Sequence, residues 1–566
     1  MKRNICTAGL LGLAIFLGAC NPKNNAPSGE AISALNLKQG QVISCGPPDQ
    51  EFGAVDFESS CPARVKPEFA LAIALLHSFE YDEGEKAFAD IIRKEPGCAM
   101  AYWGVAMCNY HPLWDQPTKA ELEKGAGAIA IAQSLGSKTK METAYIDALA
   151  LFYKDWNTAD HRSRSVRYAN AMQRIHETWA TNKEAAIFYA LTLIATADPT
   201  DSSYRNQKKA GEILTALYKQ DPNHPGIVHY IIHGFDSPGL AALALPAARK
   251  YASIAPSSAH AQHMPSHIFI RLGLWDECIR SNLASTSSAK CYAESAGIRG
   301  HWDEELHGMD YLVYAYLQKG DNKLARQQCE YLQSIREVYP VNFKDAYAFA
   351  SIPARYLLEN KWWKEAAELK PHPIDFPWEK FPWQKAIIHF TRLMGQANTG
   401  NTNMAKTELK TLEQLHDTLL ARGDAYKANQ VLIQLKTGGA WILFHEGKKS
   451  EALSLMRTAA EMEDKTQKHP VTPGEVLPAR ELLADMYLRL NDAREALAGY
   501  EAVLKKQPNR FNALYGAGLA AEKTGDAHKA ALYYQQLHTN TSSESNRPER
   551  QTADLFLAKQ KPLRME

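Results

Sequence analysis

Residues 483–500, Leu-Ala-Asp-Met-Tyr-Leu-Arg-Leu-Asn-Asp-Ala-Arg-Glu-Ala-Leu-Ala-Gly-Tyr, and residues 517–534, Ala-Gly-Leu-Ala-Ala-Glu-Lys-Thr-Gly-Asp-Ala-His-Lys-Ala-Ala-Leu-Tyr-Tyr, repeat one pattern at a spacing of 34 residues. Leu483, Ala484 and Tyr487 form the apolar stripe of a first helix, Asn491-Asp492 a turn, and Ala496 and Tyr500 the stripe of a second helix, with Pro508 closing the unit. In the next copy these places fall to Ala517, Gly518, Ala521, Gly525-Asp526, Ala530 and Tyr534. Weaker copies stand at Leu71, Ala72, Leu75, Gly84, Phe88 and Pro96, at Leu312, Tyr316, Gly320-Asp321 and Ala325, and at Ala440, Gly447, Ala452 and Ala459.

This pattern resembles the tetratricopeptide-repeat family, and in particular bacterial repeat-containing lipoproteins of uncharacterised function. The resemblance implies an all-α fold, an α-solenoid of helix-turn-helix units that bury their apolar faces against one another, and a concave surface that binds a protein or peptide. It predicts a helical array with a histidine cluster over 63–340, further repeats over 341–474 and a repeat pair over 475–540. The stretch from Asp115 to Asp201 and the Pro/Trp-rich loop from Pro371 to Trp383 depart from the pattern. A polar segment at 541–566 reads as a mobile tail. Tyr102, Trp103, Tyr311 and Tyr314 are the aromatic candidates for partner contact.

Residues 1–19 read as a lipoprotein signal peptide: Lys2 and Arg3 precede an apolar stretch from Ala8 to Leu17, too short for a stable span, and Leu17-Gly18-Ala19-Cys20 resembles a lipobox. Cys20 is then the lipidation site, and 20–62 the lipidated cysteine with a flexible tether, on the periplasmic face of an inner or outer membrane. Seven cysteines follow Cys20, and export permits disulfides. Cys45 and Cys61, flanking a short turn-rich segment, are the expected pair; no Cys-x-x-Cys is present. Lys plus Arg number 64 against 63 Asp plus Glu, so no basic field exists to hold nucleic acid.

Eight of the nineteen histidines lie between 224 and 307. His229 and His233 recur 34 residues on as His263 and His267, each pair spaced to share one helix face. His260 lies three residues before His263 on that face, and His307 begins a related segment in which Asp310 takes the later place. Pairs of imidazoles on neighbouring helices suit a transition metal such as zinc or copper, with nickel and iron also possible ligand partners. Asp303-Glu304-Glu305 is a source of carboxylates, and His111 of a further imidazole. The alternative is a structural histidine inherited by both copies; a structural cluster is packed and rigid, a functional one lines an open groove. No His-Glu-x-x-His, Gly-x-Ser-x-Gly or Walker loop is present, and Gly125-Ala-Gly127 lacks the strand that a dinucleotide site requires. The sequence therefore reads as a lipid-anchored binding scaffold rather than an enzyme, with a metal-binding protein or metalloenzyme as the alternative.

Overall fold

The computed structural model describes residues 26–46, 52–113, 116–198 and 201–560; residues 1–19, expected to be a signal peptide, and Cys20 lie outside them. The described chain is an α-solenoid. Antiparallel pairs begin with Lys66–His77 and Tyr81–Lys94, Ala99–Cys108 and Lys119–Ser134, Lys140–Tyr153 and His161–Thr178, Lys183–Ala195 and Arg205–Tyr218, and Pro225–Phe235 and Ala241–Ile254. A broken helix, Ala259–His263 with Pro265–Leu272, then pairs with Trp275–Ser295, and Asp303–Gln318 pairs with Asn322–Ser334. Phe343–Glu359 and the short Trp363–Ala367, Pro382–Asn398 and Thr402–Ala421, and Ala425–His445 and Lys449–Asp464 follow. Ala479–Arg489 with Ala493–Lys506 and Phe511–Lys523 with Ala527–Asn540 complete the pairs, and Pro548–Gln560 covers the end.

First and second helices of a pair differ in burial. Asp303–Gln318 is buried on every side, whereas its partner Asn322–Ser334 buries only Ala325, Cys329 and Leu332. The first helices therefore form the interior and the amphipathic second helices the outer layer. One turn device recurs. Gly320, Gly423, Asn491 and Gly525 take left-handed φ values of 65, 74, 62 and 84°, and the Asp that follows each accepts a hydrogen bond from the third residue beyond it, capping the second helix. Residues 116–198, which depart from the repeat pattern in sequence, keep the paired architecture. Their helices start on Thr118 and Thr139 capping boxes and on Asp160 and Asn182 caps instead of a Gly-Asp turn.

The disulfide expectation is overturned. Cys45 pairs with Cys291 and Cys61 with Cys98, because pairing follows the 5.9 and 5.1 Å Cα separations that the fold creates rather than nearness in sequence. The described part of the tether is likewise packed. Leu35 is buried, and the Lys38 and Ile43 amides donate to Glu85 and Glu83 at 2.8 Å. The tail is not loose either: the Ser542 amide donates to the Lys319 carbonyl at 2.8 Å, Arg547 is buried against Asn512 and the Glu359 carbonyl, and Pro548–Gln560 is helical. Tyr102, Trp103, Tyr311 and Tyr314 are core residues, since their helices are enclosed by neighbours; none is more than 3% exposed. Among the described residues no helix is long and apolar enough to cross a membrane.

The irregular segment 465–478, between Lys449–Asp464 and Ala479–Arg489, runs inward. Tyr311 donates to the Val471 carbonyl at 3.1 Å, Arg355 to the carbonyls of Gly474 and Glu475 at 2.7 Å, and Lys468 to Thr472 at 2.7 Å and His469 at 3.0 Å. These buried donors satisfy backbone that no helix or sheet satisfies, and so hold an irregular strand of chain inside the superhelix.

Candidate metal centre

Three successive first helices bring the predicted histidines together. His229 and His233 lie one turn apart on Pro225–Phe235, His263 and His267 one turn apart across the Met264-Pro265 break, and His307 on Asp303–Gln318. They form two triads. His229, His233 and His260 offer nitrogens that all lie within 4.8 Å of one another, as do His263, His267 and His307. Each triad thus joins an i, i+4 pair to one imidazole from the following first helix. His260 therefore serves the pair preceding it rather than the His263 pair whose helix face it was expected to share.

The protons of these rings are assigned by their partners. His229 Nδ1 lies 2.6 Å from the His77 carbonyl oxygen; a carbonyl only accepts, so the proton is on Nδ1 and Nε2 carries a lone pair. That Nε2 lies 3.0 Å from Nε2 of His233 and 3.2 Å from Nε2 of His260. The second triad is sharper. His263 Nδ1 donates to Asn282 Oδ1 at 2.6 Å, whose amide nitrogen is turned the other way by the Cys278 carbonyl at 2.8 Å. His267 Nδ1 donates to Asp236 at 3.1 Å. Both Nε2 atoms are thereby left as lone pairs, and they face each other at 3.1 Å.

Burial reinforces this. It pushes His229 down to about 3, and pushes His233, His260, His263 and His307 well below the usual histidine range, their mutual repulsion adding to the effect. Burial also lowers His267, against the opposing pull of Asp236. Burial alone would raise the Asp236 carboxyl, but Lys468, Arg271 and His267 hold it well below its ordinary value, so it stays an acceptor. His229, His263 and His267 are thus neutral imidazoles with anchored Nδ1 protons and Nε2 lone pairs, the protonation state that a metal ion requires, and carbonyl, amide and carboxylate acceptors behind these three fix that tautomer.

The triads share a small void lined by His233 and His260 from one and His267 and His307 from the other, closed by Pro470 and Val471 of the inward segment. It holds roughly 10 Å³, the room of about one water molecule. The cluster is thus packed, as a structural one would be, and yet it adjoins a wider cleft through His260 and Glu304, which line both. Neither outcome anticipated from sequence describes it alone.

The remaining sequence candidates are engaged with other partners. Asp310 accepts from Ser351 at 2.8 Å and faces Arg355 at 3.4 Å. Asp303 and Glu304 hold Lys344 at 2.6 and 2.5 Å, and Glu305 holds His301 at 2.8 Å. His111 pairs with Glu121 at 3.2 Å. Sequence reasoning missed a third group, His77, Glu184 and His224, whose ligand-type atoms also cluster; the only sequence signal was His224 beside the repeated pair, since His77 stands 152 residues before His229.

Residues 482–544 match the tetratricopeptide repeat family. That segment carries tetratricopeptide repeats. No curated protein matches it. Among solved structures, this repeat protein is similar to the human IFIT1 dimer with PPP-AAAA, at 11% identity over 82% of this chain and 94% of that one with a TM-score of 0.33. It is similar to the APC/C Cut9–Hcn1 hetero-tetramer, at 12% identity over 88% and 96% with a TM-score of 0.26. A third likeness is to Naa15/Naa10 bound to HypK-THB, at 12% identity over 88% and 97% with a TM-score of 0.24. Tetratricopeptide repeats form helical scaffolds suited to protein binding.

Proposed function

We propose that this tetratricopeptide-repeat protein binds transition-metal ions, one at each histidine triad. The observation that carries the reading is the pair of facing lone pairs on His263 and His267, 3.1 Å apart: with both Nδ1 protons committed elsewhere, a cation between them turns a repulsive contact into an attractive one, and the Tyr311 hydroxyl, 3.2 Å from His267 Nε2, can serve only one of the two. Three neutral nitrogens per ion leave a coordination position open, the arrangement of reactive rather than purely structural sites. Zinc and copper are the best-suited ions for such all-nitrogen donor sets.

The test is elemental analysis of the mature chain purified without a His tag, beside a variant with His229, His233, His263 and His267 changed to Ala. About two ions per chain in the parent and none in the variant is the expected result. Absence of metal from the parent after incubation with zinc and copper sinks the reading. A protein-binding scaffold is the second reading, favoured by the repeats at 482–544 and by a hollow of about 680 Å³ bounded by Tyr204, Arg271, Arg480 and Lys506. It predicts partner capture that survives chelation.

Export and lipidation at Cys20 complete the proposal. Two disulfides in the folded body suit an oxidising compartment. Cells fed radiolabelled palmitate should label the parent and not Cys20→Ala; equal labelling excludes the anchor.

A further inference from the structure

The two histidine triads are covered and opened in matching ways. One aromatic ring lies against each. Phe79 touches all three imidazoles of the first triad, its ring centre 4.4 Å from that of His229, 5.5 Å from His233 and 5.9 Å from His260. Tyr311 does the same in the second, at 4.6 Å from His263, 5.1 Å from His267 and 5.4 Å from His307. Neither ring borders the void between the triads. That void is bordered by two imidazoles of each, His233 and His260 from the first and His267 and His307 from the second. The third ring of each triad, His229 or His263, is the one anchored on the His77 carbonyl or on Asn282 and does not reach it.

An ion held by three nitrogens keeps a fourth position. In each triad an aromatic ring takes up one side of the nitrogen set, so the fourth position is left on the side of the shared void. Two ions then present their open positions to one space, and that space holds about 10 Å³, room for a single water-sized ligand. Charge selects which ligand. Six imidazoles bring no negative charge to two divalent ions, Met264, Pro470 and Val471 add none, and Glu304 and Lys344 are paired with each other. A water molecule between two such ions gives up a proton far more readily than bulk water, because both ions attract the hydroxide left behind. The proton has a way out, since the void adjoins a cleft of about 410 Å³ through His260, Glu304 and Lys344.

We propose that the two triads act as one binuclear centre, its two ions joined by a single hydroxide held in the shared void. The bridge rests on the metal reading above and goes beyond it, since two separate ions would satisfy that reading equally. The test is electron paramagnetic resonance of the protein loaded with copper(II), integrated before and after acid releases the metal, with copper counted by elemental analysis. A one-atom bridge pairs the two unpaired electrons, so most of the parent's signal should be missing and should return on release. Nearness without a bridge broadens the signal but leaves its integral whole. His263→Ala, with one copper left, should give an undiminished signal. Val471→Leu adds one methylene to the wall of the void, about the space of the bridging ligand, and should keep both coppers while restoring their signal. One copper per parent chain, or two with a full integral, overturns the bridge and leaves metal binding standing; a parent that takes up neither copper nor zinc overturns both. A Val471→Leu protein that holds two coppers and stays silent overturns the placement of the bridge in this void.

Discussion

Two kinds of histidine cluster lie side by side in this protein and differ in where their protons are. In the group formed by His77, Glu184 and His224, His77 Nε2 donates to Glu184 at 3.0 Å and His224 Nε2 donates to the other carboxylate oxygen at 2.9 Å. Their remaining nitrogens accept, from the Tyr230 hydroxyl at 3.0 Å and from the Ile227 amide at 3.4 Å. Every ring nitrogen has a complementary partner, so the group is closed. In the triads the Nδ1 protons of His229, His263 and His267 point away, and the Nε2 lone pairs of His263 and His267 face each other. Proximity of metal-type ligands is common to both regions; the hydrogen-bond assignment separates a finished polar network from one in which lone pairs face each other, the feature on which the metal proposal rests. The regions are also linked, because the His77 backbone carbonyl anchors His229.

The comparison breaks most visibly at Glu184. Burial pushes its carboxyl up, yet the flanking His77 and His224 outweigh that and hold it at about 2. Glu184→Ala strands two buried imidazoles and should cost about 3–5 kcal/mol in chemical denaturation, while metal stoichiometry of the folded fraction stays at its parental value. A loss of both ions without a loss of stability would reverse the assignment of the two clusters. His263→Ala should do the opposite, removing one ion of two and leaving the other; retention of both means the triads are not separate sites. Next in size is Asn282→Ala, which removes the acceptor that fixes the His263 tautomer. Metal affinity of the second triad should fall about 10–100-fold in competition with a chelator, with the first triad unchanged.

Acid supplies a graded effect, small near pH 6 and growing as the pH falls. His229 is held at about 3 against an ordinary 6.5, so below pH 6.5 the unfolded chain takes up a proton that the folded apo protein refuses. Stability is therefore lost as pH falls from 6.5 toward 3, by about 1.4 kcal/mol per pH unit for each such histidine. Replacing His229 with Gln should remove one such increment from the apo protein's pH profile; an unchanged slope shows that His229 is protonated in the folded state. Smallest is Gly226→Ala. A Cβ there would meet the His77 ring at 2.5 Å, and the shift should cost about 1–3 kcal/mol and weaken the first triad through the displaced His77 carbonyl.

Much of this was legible in the chain. The 34-residue spacing at 483–534 and the Gly320-Asp321, Asn491-Asp492 and Gly525-Asp526 turns disclose the solenoid, because left-handed backbone and helix capping are local requirements met by particular residues. The region 116–198 is hidden to that search, since Thr and Asp caps start its helices without a glycine turn. The recurrence of His229 and His233 as His263 and His267 placed four imidazoles on adjacent first helices, a consequence of period alone.

Sequence could not decide which imidazoles join which pair, or where their protons lie. His260 reaches back to His229, and His307 to His263, because neighbouring first helices pack closely enough for side chains to cross between them. The tautomers depend on His77, Asn282 and Asp236, acceptors brought up from other helices. The same holds for Cys45 with Cys291, joined across 246 residues. The chain by itself determined the repeat, its turns and the presence of paired histidines, all set by contacts within a few turns of backbone. The tertiary structure alone decided the triads, their protonation and the disulfides, because each depends on atoms whose separation in space is unrelated to their separation in sequence.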